Sequence, residues 1–336
     1  MSRPPDGPLR VGLTYDLCTE HEGEGLSAED LAELDSPETI DALEGALRAD
    51  GHEVVRIGGL RGLLAALQRG ERWDLVFNIA EGLRGIGREA QVPAVLDAFA
   101  IPYTFSDPLV CALTLHKAMT KRLVRDLGIA TPRFAVVETE ADAAAVELRF
   151  PLFVKPVAEG TSKGIDAGSK VGARDALVAA CARLLARFRQ PVLVEEFLPG
   201  REVTVGILGT GAHARVAGVL EVHLLPGADP DGYTYANKAG WEGRVRYALA
   251  TDAFADAAGE LALAVWRGLG CRDAGRVDVR ADREGRPAFL EVNPLAGLRP
   301  GVGDLPILCE LGGMPYRALI AAVVASARAR IPAGGR

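Results

Sequence analysis

Strand-type and helix-type segments alternate through the first hundred residues, and few folds accept that alternation. β-type runs stand at 9–15, 52–57, 73–79 and 101–105. Helix-type segments separate them, from 36 to about 50, at 60–69 and at 88–99. Ser36-Pro37-Glu38-Thr39 reads as a helix start, with Ser36 as cap and Pro37 in the first turn. Such a series builds a parallel sheet with helices on both faces, an α/β architecture.

Beyond residue 105 the pattern changes. A helix is expected over 107–127, stopped at Gly128, then strands at 133–137 and 152–156 around an Ala- and Glu-rich helical segment. A glycine-punctuated polar loop covers 157–165. A helix at 175–189 and a strand at 192–196 follow, then strands at 202–208 and 214–222. A loop at 226–246, a helix at 252–269, a hairpin and a last helix over 314–330 complete the chain. Boundaries near 116 and 200 divide it into units of 1–116, 117–200 and 201–330. A chain of 336 residues is long enough for such units, and 49% hydrophobic with 25% charged residues is ordinary for a globular enzyme.

A net charge of −7 and the lack of a basic run argue against nucleic acid as a partner. The five cysteines are scattered without C-x-x-C spacing, which fits reduced thiols. The N-terminal residues lack the apolar core of a signal peptide, and the apolar stretch at 318–325 is too short to span a bilayer. A cytoplasmic location without membrane contact is expected, and a homodimer is compatible with it.

The chemistry concentrates near the C-terminus. Gly-Arg-Val-Asp-Val-Arg (275–280) and Phe-Leu-Glu-Val-Asn-Pro (289–294) read as two strands joined by a polar turn. Glu291 and Asn293 share a face at strand spacing, and Asp278 reaches it if the strands pair. Such oxygen donors suit Mg²⁺, which favours one or two carboxylates plus phosphates. Arg276 can point at the same place. An ordinary hairpin with solvated acids is the competing reading.

Lys117, Lys155 and Lys163 lie before and within the loop that holds Gly160 and Gly164. Glycine lets backbone N–H groups approach a phosphate, and lysine supplies mobile charge. The loop lacks the G-x-x-x-x-G-K-[ST] spacing of a P-loop. Val192–Glu202 offers what a purine nucleotide needs: Glu195 or Glu196 as acceptor, the Leu198 backbone as donor, Phe197 as wall and Glu202 for ribose. Gly209-Thr-Gly211 sits between two strands and reads as a hairpin turn, so a nicotinamide enzyme is not indicated. No histidine spacing suggests zinc.

In this order the motifs resemble the ATP-grasp superfamily, and within it the D-alanine–D-alanine ligase family, over about residues 75 to 315. Residues 76–104 resemble the end of the ligases' first domain. Leu-Thr-Leu-His-Lys117 resembles the helix with their first ATP lysine, with His116 where Asp is usual. Phe-Val-Lys155-Pro matches the second lysine. Glu159-Gly160-Thr161-Ser162-Lys163-Gly164 resembles the mobile loop over the phosphates. Val-Glu195-Glu196-Phe197-Leu198 and Glu202 match the adenine and ribose contacts, and Asn237-Lys238 a lysine on the substrate-closing loop. Gly-Arg276-Val-Asp278 and Glu291-Val-Asn293 match the phosphate arginine and the ligands of two Mg²⁺ ions, with Mn²⁺ as a substitute.

The resemblance implies a three-domain ATP-grasp fold, with 1–116 on the substrate side, 117–200 as lid and 201–330 carrying the metal site. It implies that ATP phosphorylates a small-molecule carboxylate, and that an amine attacks the acyl phosphate to form an amide. Arg276, Lys238 and Lys163 would act in that chemistry. Three places depart from the family. Residues 14–23 lack the Gly-Gly-x-Ser-x-Glu stretch, Ala239 replaces a latching tyrosine, and 294–304 lacks the Ser-Leu pair that binds the acceptor's carboxylate. A ligase with substrates other than two D-alanines is the leading expectation. A true D-alanine–D-alanine ligase is the second, and a non-catalytic nucleotide-binding regulator the third.

Overall fold

The computed structural model describes residues 7–21, 25–31, 33–225 and 245–331. Lys238 and Ala239 lie outside the described residues.

The N-terminal alternation forms a parallel sheet in the order β2-β1-β3, with β1 at Arg10–Thr14, β2 at Glu53–Arg56 and β3 at Leu75–Asn78. Val11 to Thr14 and all of β3 are buried, as expected of strands covered on both faces. The helix Pro37–Ala49 starts as the sequence indicates: the Ser36 side chain accepts from the Thr39 backbone N–H. Its inner face of Ile40, Leu43 and Leu47 shares one core with Leu319 and Val323 of the C-terminal helix Tyr316–Ala329. These two helices, far apart in sequence, therefore pack together.

Three expectations need correction, and one helix was not expected. Residues 101–105 form no strand, only a single bridge from Tyr103 to Val76. The expected helix at 107–127 is two helices, Pro108–Leu115 and Lys117–Asp126, broken at His116. The His116 ring caps the second by accepting from the Met119 backbone N–H, the part an aspartate would play. Residues 304–311, to which the sequence assigned no element, are a helix headed by Asp304, an acid placed favourably at a helix start. Finally, the segment read as a loop to 246 already contains β10, Val245–Leu249.

A second sheet is antiparallel, in the order β4-β7-β5-β6, from Phe134–Val137, Val192–Glu196, Leu152–Pro156 and Lys170–Val171. Leu177, Cys181 and Leu184 of the helix Arg174–Phe188 cover one face of it. The third sheet runs β10-β9-β8-β11-β12, with β8 at Glu202–Leu208, β9 at Arg215–Leu224, β11 at Ala274–Ala281 and β12 at Pro287–Asn293. Trp266 of the helix Ala253–Leu269 is fully buried beneath it. A Cβ on Gly275 would lie 2.6 Å from that indole and 2.5 Å from the Asn293 carbonyl oxygen, so only glycine lets the hairpin close here.

Buried Asp273 ties the first and third sheets together. It accepts from the Phe105 backbone N–H at 2.7 Å and from Ser326 Oγ at 2.8 Å, and pairs with Arg330. Among the described residues, no single helix is long and apolar enough to cross a membrane.

Candidate active site

The hairpin pairs as its sequence suggests. Asp278 stands opposite Glu291, and Arg276 opposite Asn293. Directly opposed residues share a face, so four polar side chains gather on one side of β11 and β12. A bulge follows Asp278, and the register resumes at Val279 opposite Phe289. Arg276 Nη1 lies 2.8 and 2.9 Å from the two Asp278 carboxylate oxygens, and Thr204 Oγ1 donates to the same group at 2.8 Å.

Lys155 reaches this face from β5 and Lys117 from the head of its helix. The Lys155 ammonium lies 3.5 Å and the Lys117 ammonium 3.8 Å from Glu291. Lys155 also sits 3.1 Å from Glu195 Oε1, while fully buried Lys121 takes Glu195 Oε2 at 3.0 Å. One buried carboxylate thus holds two buried lysines. Burial alone would lower the Lys155 pKa, but Glu195 and Glu291 outweigh it and hold its ammonium well above lysine's ordinary range. Burial wins at Lys121, which falls to about 8 despite Glu195. Lys121 also donates to Thr131 and to the Phe289 carbonyl, fixing its helix to β12.

Phe153, Lys155, Glu195, Phe197, Glu202 and Arg280 belong to the wall of a cavity of about 120 Å³ between the second and third sheets. Glu196 and Leu198 line it too. Of the two acids considered for a purine amine, Glu195 is engaged by lysines on both oxygens. Glu196 accepts from the Arg149 backbone N–H at 3.1 Å. Glu202 pairs with Arg280 at 2.9 Å.

The glycine loop divides this cavity from a larger one of about 370 Å³, since Ser162 faces the first and Glu159, Gly160 and Thr161 face the second. Gly164 has φ +75°, and a Cβ there would lie 2.7 Å from Phe188, so the loop requires a glycine. Lys163 does not join Lys117 and Lys155. Its ammonium meets Asp30 and Glu159 at 2.8 Å and Glu33 at 3.3 Å. Glu33 also receives Arg88 at 2.7 Å and the Gly160 backbone N–H at 3.1 Å. The loop is thereby pinned to the N-terminal region.

The larger cavity extends from Lys117, Glu291, Asn293 and Arg276 to the carboxyl-terminal end of β3. Asp304 lines it and lies 3.5 Å from Arg276, with its side chain 11% exposed. Arg299 reaches the rim and lies 3.9 Å from Glu38.

The family described as D-ala D-ala ligase C-terminus matches residues 123–325. The chain belongs to the D-alanine–D-alanine ligase family. The D-alanine–D-alanine ligase of Bordetella pertussis is 37% identical, with 74% of this chain and 78% of the relative covered. That of Bordetella petrii is 33% identical over 79% of each. An uncharacterized protein, y4sG of Sinorhizobium fredii, is 34% identical, covering 77% of this chain and 78% of its own. The D-alanine–D-alanine ligase of Bacillus anthracis complexed with ATP superposes with a TM-score of 0.70 at 19% identity, covering 95% of this chain and 97% of that one. The VanG D-Ala:D-Ser ligase of Enterococcus faecalis gives 0.72 at 21% identity, covering 96% and 100%. The fold is the ATP-grasp fold with an N-terminal parallel sheet, and the chain is an ATP-dependent ligase of that family.

Sequence reasoning missed the acids of this ligase's larger cavity. Asp35, Glu81 and Glu89 line it; Glu81 and Glu89 lie within the 76–104 stretch of the resemblance, but none of the three was given a role. One signal was available: Glu81 follows β3 by three residues, and α/β sheets bind ligands beyond the carboxyl ends of their strands. Of residues 14–23, where the family's substrate glutamate was sought, the described part, 14–21, does not line the cavity.

Proposed function

We propose that this ligase phosphorylates a carboxylate substrate at the expense of ATP and joins it to an amine, and that the pair is not two D-alanines. The observation that carries this reading is Arg276, shared between Asp278 in the metal-type face and Asp304 in the larger cavity. The guanidinium stands where a nucleotide site meets a substrate site.

Asp278, Glu291 and Asn293 fit Mg²⁺: two carboxylates and an amide on one face, already neutralised by cations. Bound there, Mg²⁺ would neutralise phosphate charge and align the transferred group. Lys117 and Lys155 would hold phosphate oxygens, and Arg276 would stabilise charge on the acyl phosphate and the tetrahedral intermediate. Lys163 and Gly160 would keep the loop closed, sparing the acyl phosphate from water. Lys238 retains its proposed place on the closing loop. Phe197 and the Leu198 backbone would hold adenine, and Glu202 the ribose.

Asp304 supports the departure from D-alanine as acceptor. It lines the cavity beside Arg276 rather than facing solvent, and it would repel a bare acceptor carboxylate. The VanG D-Ala:D-Ser ligase, whose fold this chain shares, supports a reading with another acceptor. The Bordetella relatives favour the second reading, a true D-alanine–D-alanine ligase. Mass spectrometry of product with D-alanine as sole amino acid decides between them. Little or no dipeptide is expected, and efficient dipeptide synthesis would establish the second reading.

A further inference from the structure

The larger cavity carries more negative charge than its own residues answer. Glu33 and Glu159 are matched by Arg88 and Lys163, Glu291 by Lys117 and Lys155, and Asp304 by Arg276. Among the described residues, the side chains of Asp35, Glu81 and Glu89 make no hydrogen bond or ion pair, yet all three line the cavity. Arg88 acts on Glu81 and Glu89, and Lys117 on Glu89, only from beyond ion-pair distance. They come from three separate places: the turn before Pro37–Ala49, the segment after β3, and the short 3-10 turn Arg88–Ala90.

Unpaired carboxylates in a partly desolvated wall are costly, and folding alone does not reward them. Burial, then the neighbouring acids, pushes the Glu81 carboxyl well above its ordinary range. Burial likewise raises Glu89 to about 7, and burial followed by Asp16 raises Asp35 to about 8. A shared metal ion is not the answer, because among the described residues no three acidic, histidine or cysteine side chains are close enough to hold one. The charge is spread along the wall and calls for an extended cation.

We infer that the carboxylate substrate of this ligase is a diamino carboxylic acid, its carboxylate toward Arg276 and its two ammonium groups against Asp35, Glu81 and Glu89. The inference rests on the ligase reading for the direction of the substrate. One ammonium would answer one of the three acids and leave two, whereas two ammonium groups leave one, which can stay protonated. A charged, hydrogen-bonding wall also rejects an isostere that lacks the second amine far better than an apolar pocket could.

Titration calorimetry tests this on the full chain with Mg²⁺ and a non-hydrolysable ATP analogue. Ornithine, lysine and 2,4-diaminobutyrate, in both configurations, are compared with alanine and with norleucine, the neutral isostere of ornithine. At least one diamino acid should bind about tenfold or more tightly than its neutral counterpart. Glu81→Gln and Glu89→Gln should each remove most of that preference while analogue affinity stays unchanged. Equal binding of norleucine and ornithine, or a preference that survives both variants, overturns the inference. Product formation in the same mixtures is followed by mass spectrometry. Amide formation from alanine with no diamino preference would sink the inference and leave the ligase reading standing. Tight diamino-acid binding without amide in any pairing would sink the ligase reading and leave the cation site.

Discussion

The two cavities on either side of the 157–166 loop handle charge in opposite ways. On the proposed nucleotide side the protein supplies its own counterions: Glu195 between Lys121 and Lys155, Asp278 against Arg276, Glu202 against Arg280. On the proposed substrate side, among the described residues, Asp35, Glu81 and Glu89 make no hydrogen bond or ion pair. A nucleotide brings charge that a divalent ion largely cancels, so a balanced site can receive it. An unbalanced wall is built for a ligand of the opposite sign. Charge that is matched in the free protein serves structure as well as binding; charge that is unmatched serves binding at a cost to structure.

The largest effect should come from the metal-type face. Asp278→Asn and Glu291→Gln should each lower ATP turnover by about 10²–10³-fold, the range seen when one electrostatic contact to a reacting group is lost. Turnover measured against Mg²⁺ concentration checks this. Near wild-type turnover at low millimolar Mg²⁺ would remove the hairpin from the metal site.

Stability should separate the two cavities next. Glu195→Gln removes the carboxylate shared by two buried ammonium groups, and breaking a buried pair costs about 3–5 kcal/mol. Lys121 already titrates near 8, so it can shed its proton and hold the loss near the low end. Glu81→Gln removes a repelled acid and should leave stability unchanged or raise it by about 1 kcal/mol. Urea midpoints of the two variants give the contrast directly. Equal destabilisation would mean that Glu81 has a structural partner.

The pH dependence of the free protein should follow the wall. Asp35 and Glu89 have folded-state values of about 8 and about 7, above the ordinary 3.8 and 4.5. The unfolded chain loses these protons first. Their contribution to stability is therefore complete below pH 4 and declines as pH rises through 7 and 8. Each group contributes a slope of up to about 1.4 kcal/mol per pH unit in that window. Asp35→Asn should flatten part of the decline seen by chemical denaturation at successive pH values. A profile unchanged by the substitution would show that Asp35 ionises normally.

The same contrast governs what the sequence revealed. The hairpin was legible because strand period is two, so Glu291 and Asn293 share a face whatever the rest of the fold does, and Asp278 needed only pairing to join them. The capped helix at Pro37 and the strands at 192–196 and 202–208 carried equally local signals. The acid wall had none: Asp35, Glu81 and Glu89 lie up to 54 positions apart, and only the return of β3 alongside β1 brings them to one cavity. The break at His116 was hidden because histidine is a rare cap, and the helix at Asp304–Leu311 because it starts from the glycine-rich run at 297–303. Lys163 had the right motif but a different neighbourhood, since its partners Asp30 and Glu33 come from the N-terminal region.

That placement makes the loop the finest test of the comparison. Lys163 is the one glycine-loop cation, and its carboxylates belong to the substrate side rather than the nucleotide side. Burial would lower its pKa, but Glu33, Asp30 and Glu159 outweigh it and keep the ammonium charged. Lys163→Met leaves Glu33 with Arg88, so only part of the anchor is lost, about 1 kcal/mol. Local opening would then rise about fivefold, and cleavage by a protease that acts on the open form would rise with it. A magnesium–ATP analogue should slow cleavage within 157–166 in both proteins, because a bound triphosphate would engage Ser162 and the loop backbone. The remaining difference between them should then measure the substrate-side anchor alone. Equal cleavage with and without the analogue would show that the loop is held only from the N-terminal side and is not a lid over ATP.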